Sequence, residues 1–218
     1  MSSFAALNGR PVLSGSVVLP FAGVWTAGLV VDAAVAPTGA ATLTLDEGAV
    51  TLAGTLVRSR EAFGRVEVLM VGGAGGLWRQ VPGRHYRSTP ASMVWSDILS
   101  ACGETPSGGS SAQLGGQLAQ WTRIRSSGAD ALTRLADALG GVWRVELDGT
   151  TRLLDPAATE AGKATTGAQI ADCPAEASAL WALDTHALLP GQLLAGRRVR
   201  DLEHQIAAQG IRTKVWYG

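Results

Sequence analysis

Three histidines, His85, His186 and His204, are the side chains suited to acid–base work near neutral pH. Asp184 stands two residues before His186, and Glu203 adjoins His204, so either pair could seed a metal or catalytic cluster if folding gathered more ligands around it. Neither pair lies in a recognisable motif, and both read as turn polarity or solvated strand ends. Cys102 and Cys173 are far apart, with no second Cys or His at zinc-ligand spacing near either. They read as two reduced, buried thiols, or as one disulfide if the fold brings them together. Ser110 and Ser111 lie in a glycine-rich stretch that lacks the strand, Gly-x-Ser-x-Gly, helix arrangement of an exposed serine nucleophile. Gly72-Gly73-Ala74-Gly75-Gly76 follows a strand-like run and invites a phosphate-loop reading. No Lys-Ser or Lys-Thr pair follows it, however, and Trp78 stands where the dinucleotide pattern needs its third glycine. The run therefore reads as a turn or domain junction. These residues point to a chain with no catalytic site, no metal and no cofactor.

Binding chemistry is the other use of such residues. The tryptophans are Trp25, Trp78, Trp95, Trp121, Trp143, Trp181 and Trp216. Together they could stack on sugars, as a carbohydrate-binding module does, but most fall inside strand or helix patterns that assign them to a core. Trp78, beside the glycine run, is assigned to an interface instead. In Arg197-Arg198-Val199-Arg200, strand alternation places Arg198 and Arg200 on one face and Arg197 on the other. Residues 155–190 carry five acidic side chains and one basic, a net of −4, while 191–218 carry five basic and two acidic, a net of +3. Salt bridges to the acidic segment are the reading preferred for these arginines, ahead of DNA contact.

The elements that position these residues follow from composition and pattern. The 218 residues are 46% hydrophobic and 17% charged, enough to bury a core, and eighteen basic residues balance eighteen acidic ones. That balance argues against a dedicated nucleic-acid binder. Met1 to Arg10 lacks the pattern of a signal peptide, and Pro20, Gly23, Gly28 and Asp32 interrupt the apolar stretch that follows, which reads as strands rather than a membrane span. Strands are expected over Pro11 to Leu19, Val24 to Val31, Ala41 to Leu45, Val50 to Val57 and Val66 to Val71, making a small barrel or sandwich. A helix follows over Pro90 to Cys102, with Thr89 as its N-cap and Gly103 as its stop. Next come an exposed loop over Thr105 to Gly116, a strand over Trp121 to Arg125 and a helix over Asp130 to Leu139. A hairpin, Val142 to Leu147 and Thr151 to Leu154, turns at Asp148-Gly149, with Trp121 and Trp143 as packing anchors. Beyond a linker from Pro156, a strand over Ala177 to Leu183 precedes a long hairpin, Gln192 to Gln205 and Ile211 to Trp216.

Leu189-Pro190-Gly191, Gly196-Arg197-Arg198-Val199, Leu202-Glu203-His204 and Arg212-Thr213-Lys214-Val215-Trp216 together resemble the closing barrel hairpin of the phage tail baseplate hub family. Trp95 to Glu104, and Ala129 to Leu132 followed by Trp143 to Val145 and Asp148 to Thr150, extend the resemblance, which covers roughly residues 10–218. It implies a mainly β chain in which a tail-hub-like β-barrel is interrupted by a small α/β domain. The expected organisation is an N-terminal barrel part at 1–82, an α+β insert at 83–157 and a C-terminal β part at 158–218. The resemblance further implies a homotrimeric ring between the tail tube, or distal tail proteins, and a spike or tip protein. DNA would be passing cargo only, and the setting is a virion tail assembled in the host cytoplasm, without membrane insertion. Interface candidates are Trp78, Arg198, Arg200 and Trp216. The final hairpin is expected to supply edge strands that pair or pack between neighbouring copies.

Overall fold

The computed structural model describes residues 4–62, 64–109, 111–157, 170–172, 179–182, 188–194 and 196–218. Six N-terminal strands close a barrel: β1 (Ala5–Leu7), β2 (Arg10–Pro20), β3 (Thr26–Val31), β4 (Gly39–Leu45), β5 (Val50–Ala62) and β6 (Arg65–Gly72). Around it the order is β1-β4-β5-β6-β3-β2 and back to β1, antiparallel throughout. Alternation sends Ala27, Leu29 and Val31 of β3 inward, as it does Ala41, Leu43 and Leu45 of β4. These side chains fill the interior that a small barrel must pack. Sequence patterning misses β1, because three residues are too few to show a period of two. Yet β1 completes the ring, pairing Leu7 with Leu43 on one side and with Arg10 on the other.

The insert comprises β7 (Gln80–Val81), β8 (Arg84–Pro90), α1 (Ala91–Cys102), β9 (Gln117–Arg123), β10 (Ser126–Ser127), α2 (Gly128–Ala138), β11 (Val142–Val145) and β12 (Thr151–Leu154). Val94, Trp95, Ile98 and Leu99 form the buried stripe of α1 and meet Leu132 and Leu135 of α2 in the core. Thr89 is not the cap of α1. Pro90 takes that position with no side-chain bond, and the Thr89 hydroxyl donates to the Arg87 carbonyl instead. Ser127 caps α2, its hydroxyl accepting the Asp130 N–H at 3.1 Å. Trp143 is buried, and its indole N–H donates to the Thr133 hydroxyl at 2.9 Å. Trp121 is half-buried against Tyr86, with ring centroids 5.8 Å apart.

The C-terminal part contributes β13 (Ile170–Asp172), β14 (Ala179–Ala182), β15 (Leu193–Leu194), β16 (Arg197–Ala207) and β17 (Gly210–Tyr217). Four of them extend the sheet from β2 in the order β2-β16-β17-β14-β13, and β15 pairs with β16 off this path. Strand β2 therefore belongs to both bodies: near Arg10 and Pro11 its edge pairs with β1, and from Gly15 to Pro20 the same edge pairs with β16. Two expectations are corrected here. The closing hairpin is interior rather than an edge, since β16 lies between β2 and β17, and β17 between β16 and β14. Strict alternation also fails at Arg200, where a register shift between Val199 and Asp201 leaves Arg200 without a cross-strand partner.

Candidate functional site

The glycine run turns out to be the joint between barrel and insert. As β6 ends, the Ala74 N–H donates to Glu104 Oε2 at 2.8 Å and the Gly76 N–H to Oε1 at 2.7 Å. Glu104 itself is buried, placed by the end of α1: Gly103 takes φ +75°, and the Glu104 N–H returns to the Leu99 carbonyl. The glycines are sterically required. A Cβ on Gly76 would lie 1.8 Å from the Cys102 carbonyl oxygen, and one on Gly73 would lie 2.4 Å from Glu104 Oε2 at φ +75°. The loop thus uses its N–H groups as a phosphate loop does, but the anion they hold is the chain's own carboxylate. Sequence reading singled out the glycines and missed Glu104; its one signal was an acid directly after a helix-stopping glycine.

A second set of bonds fastens the far side of the insert. The Gly23 N–H donates to the Trp143 carbonyl at 2.7 Å and the Val145 N–H to the Gly23 carbonyl at 2.9 Å, while the Ala53 N–H reaches the Leu147 carbonyl at 2.7 Å. The buried Trp25 indole donates to the Glu146 carbonyl at 3.1 Å. Arg144, also buried, donates to the Pro190 carbonyl at 3.2 Å and pairs with Glu146 at 2.9 Å, which ties the insert to the Leu189-Pro190-Gly191 turn. These contacts enclose a small apolar cleft between Leu19, Trp25, Val145, Leu147, Leu189 and Pro190.

The residues weighed for catalysis do not converge. His204 is fully buried in the extended sheet, with Nδ1 2.8 Å from the Thr213 hydroxyl. Alternation turns the neighbouring Glu203 to the opposite face, so the two do not form a cluster. His85 sits on the exposed face of β8, with Nδ1 2.8 Å from the Thr122 hydroxyl and Nε2 accepting from Arg87. Asp184, His186 and Cys173 lie outside the described residues, as does Ser110. Cys102 is a buried free thiol whose pKa is pushed up by burial and then by the Glu104 charge. Among the described residues no group of three His, Cys, Asp or Glu side chains could hold a metal, and no helix is long and apolar enough to cross a membrane.

The densest polar group is a brace in the insert. Asp97 accepts from Arg84 at 2.7 Å, from Arg123 at 2.9 Å and from the Tyr86 hydroxyl. Burial, then the Asp97 hydrogen bond, push the Tyr86 phenol up to about 12. Arg123, almost fully buried, also donates to the Pro82 carbonyl at 2.8 Å. The network pins the antiparallel β8–β9 pair onto α1, the helix that connects the two strands.

The four interface candidates occupy two regions. Trp78 is 58% exposed in the turn after the joint. Arg198 stacks over Phe21, 4.2 Å from the ring centroid, and donates to the Pro156 carbonyl at 2.7 Å. Arg200 is exposed and pairs with its neighbour Asp201 at 2.7 Å. Trp216 is half-buried beneath the Lys214 ammonium, 4.7 Å from its centroid. Arg198 and Arg200 thus find partners beside them, and most of the acidic segment proposed for them lies outside the described residues.

No family model and no curated protein matches the chain. Solved structures do. The 43 kDa tail protein of prophage MuSo2 from Shewanella oneidensis aligns with 100% of this chain and 97% of its own, at a TM-score of 0.68 and 8% identity. The tail protein of Neisseria meningitidis MC58 covers 98% of this chain and 95% of its own, at 0.64 and 10%. The E. coli c3393 protein, a type VI secretion component described as structurally similar to the T4 bacteriophage tail proteins gp27 and gp5, covers 98% and 77%, at 0.64 and 13%. The fold is therefore mainly β, a phage-tail-protein fold in which a closed barrel is interrupted by an α+β insert.

Proposed function

We propose that the chain is a structural, non-enzymatic subunit of a phage-type tail, a baseplate hub that forms a trimeric ring joining the tail tube to the spike or tip. The observation that carries this reading is the extent of the fold likeness. Barrel, insert and returning strands are matched together across nearly the whole of two tail proteins. The double fastening of insert to barrel supports it, because a connector bearing load needs bodies that hold their relative orientation. In this reading residues 1–82 supply the barrel part, 83–157 the insert and 158–218 the returning β part. Trp78, Arg198, Arg200 and Trp216 face neighbours. The ring resides in the virion tail, assembles in the host cytoplasm, uses no cofactor and lets DNA pass as cargo.

The test is the mass of the purified chain by light scattering, with negative-stain imaging of the same sample. A trimeric ring with a central hole is the expected result. A chain that stays monomeric at every concentration, both alone and with its tail-tube protein, refutes the hub.

A further inference from the structure

The sheet formed by β8 and β9 stops at two strands, each seven residues long, and among the described residues neither outer edge carries a further strand. The Ala91 N–H donates to the Gly116 carbonyl at 2.9 Å in the same register, so alternation turns the backbone groups of Leu118, Gln120 and Thr122 toward β8. Those of Gln117, Ala119 and Trp121 turn the other way, to the open edge. Such a row of N–H and C=O groups is a template for another extended strand.

The two edges differ in how they are guarded. β8 presents exposed Arg84, His85 and Arg87, takes φ +47° at Ser88 and ends on Pro90, which has no N–H to offer. β9 has none of these devices. From Gln117 to Thr122 it carries no charge, no proline and no residue of positive φ. Elsewhere the outer edge of β12 is met at Thr151 by Thr105 and Ser107, and β13 is three residues long. The unguarded edge of matching length that a second copy brings is therefore β9 itself.

The strand is also complementary to itself. An antiparallel pair centred on Gln120 sets Ala119 against Trp121 of the second copy and Gln117 against its Arg123, so outward-turned groups meet outward-turned groups along the whole strand. The small, exposed Ala119 leaves room beside it for the half-buried indole, and the two Gln120 amides lie side by side. Arg123, the one charge on the strand, is already spent on Asp97 and the Pro82 carbonyl, so the pairing brings no unpaired like charges together.

We propose that β9 pairs antiparallel with β9 of a second copy about a two-fold axis at Gln120, joining two inserts through a four-stranded sheet in the order β8-β9-β9-β8. This goes beyond the ring reading. A two-fold contact does not close a ring of three, so it joins two free chains, or one chain from each of two rings.

The test is sedimentation of the full-length protein across a concentration series, with amide exchange on the same samples and melting curves to confirm that each variant is folded. The wild type should double in mass as concentration rises, monomer to dimer or trimer to hexamer, while the Ala119 and Trp121 amides gain protection and those of the barrel do not change. Gln120→Lys and Gln120→Glu, both on an exposed side chain, should each weaken the doubling about 10-fold or more, and an equimolar mixture of the two should restore it. Ala119→Pro, which removes an outward N–H and leaves the ladder to β8 intact, should abolish it. A wild type whose mass never doubles, or whose Ala119 and Trp121 amides exchange alike at every concentration, overturns the pairing and leaves the edge to a strand of another tail subunit. Doubling that survives both Gln120 charges and Ala119→Pro also overturns it. The ring is read separately: its failure leaves the monomer-to-dimer step in place, and failure of the pairing leaves the trimer.

Discussion

Replacing Glu104 by alanine should be among the most damaging single changes in this chain that leave the apolar core untouched. The carboxylate accepts two backbone N–H bonds at 2.8 and 2.7 Å in a buried setting. Hydrogen bonds to a charged group contribute about 1.5–3 kcal/mol each, and their loss would strand two N–H donors away from water. The cost of desolvating the carboxylate, which alanine removes, offsets part of that. A net loss of about 3 kcal/mol is expected, or about 6–12 °C in melting temperature for a chain of this size. Glu104→Gln should fall between, since an amide offers one oxygen to one N–H and sets its own donor against the other. Urea unfolding gives the stability, and hydrogen exchange at Ala74 and Gly76 gives the location: both amides should lose protection before those of the barrel. An alanine variant within about 0.5 kcal/mol of wild type, the range of ordinary surface changes, would refute the joint as a stabilising element.

Other outcomes follow from the same geometry. Gly76→Ala should cost about 3 kcal/mol or prevent folding, because its Cβ meets a backbone oxygen at 1.8 Å that cannot swing aside. Gly128→Ala should be rescued in part by Cys102→Ala, since the added carbon would lie 2.1 Å from the Cys102 sulfur, and a double-mutant cycle by chemical denaturation measures the coupling. Arg144→Met should destabilise by about 3 kcal/mol in a thermal melt, loosening the Pro190 turn together with the Glu146 pair. In ultraviolet titration the Tyr86 phenolate should appear only near pH 12, whereas in denaturant it returns to about 10. The native value is the raised one, so this contribution to stability is complete below about pH 10 and is lost as pH climbs toward 12. A native phenolate midpoint at the ordinary value for both tyrosines would contradict the brace.

Strands of six residues or more in the barrel were legible because alternation survives over that length, as in β3 and β4. Both helices were legible for the same reason at a period of 3.6. The strand β1 was too short to register, and β8 was hidden because its run Arg84 to Pro90 buries only Tyr86 and so shows no alternating apolar face. Partner choice was invisible. Nothing in the hairpin Arg197 to Tyr217 says that β2 lies on its open side, and this is why interior strands read as edges. Among the interface candidates, exposure at Trp78 could be inferred from its place beside the glycines. The stacking of Arg198 on Phe21 could not, since it joins residues that only the tertiary fold brings together.

The shared strand also sets a timetable for synthesis. The outer edge of β2 from Gly15 to Pro20 waits for β16, and the Phe21 N–H waits for the Asp201 carboxylate, 180 residues later in the chain. While the ribosome makes the insert, the nascent barrel therefore displays an unpaired edge that any other strand can occupy. Chains released early, or slowed near the end, should aggregate rather than accumulate as soluble barrels. Circular permutants that bring residues 197–218 ahead of β2 should escape that exposure.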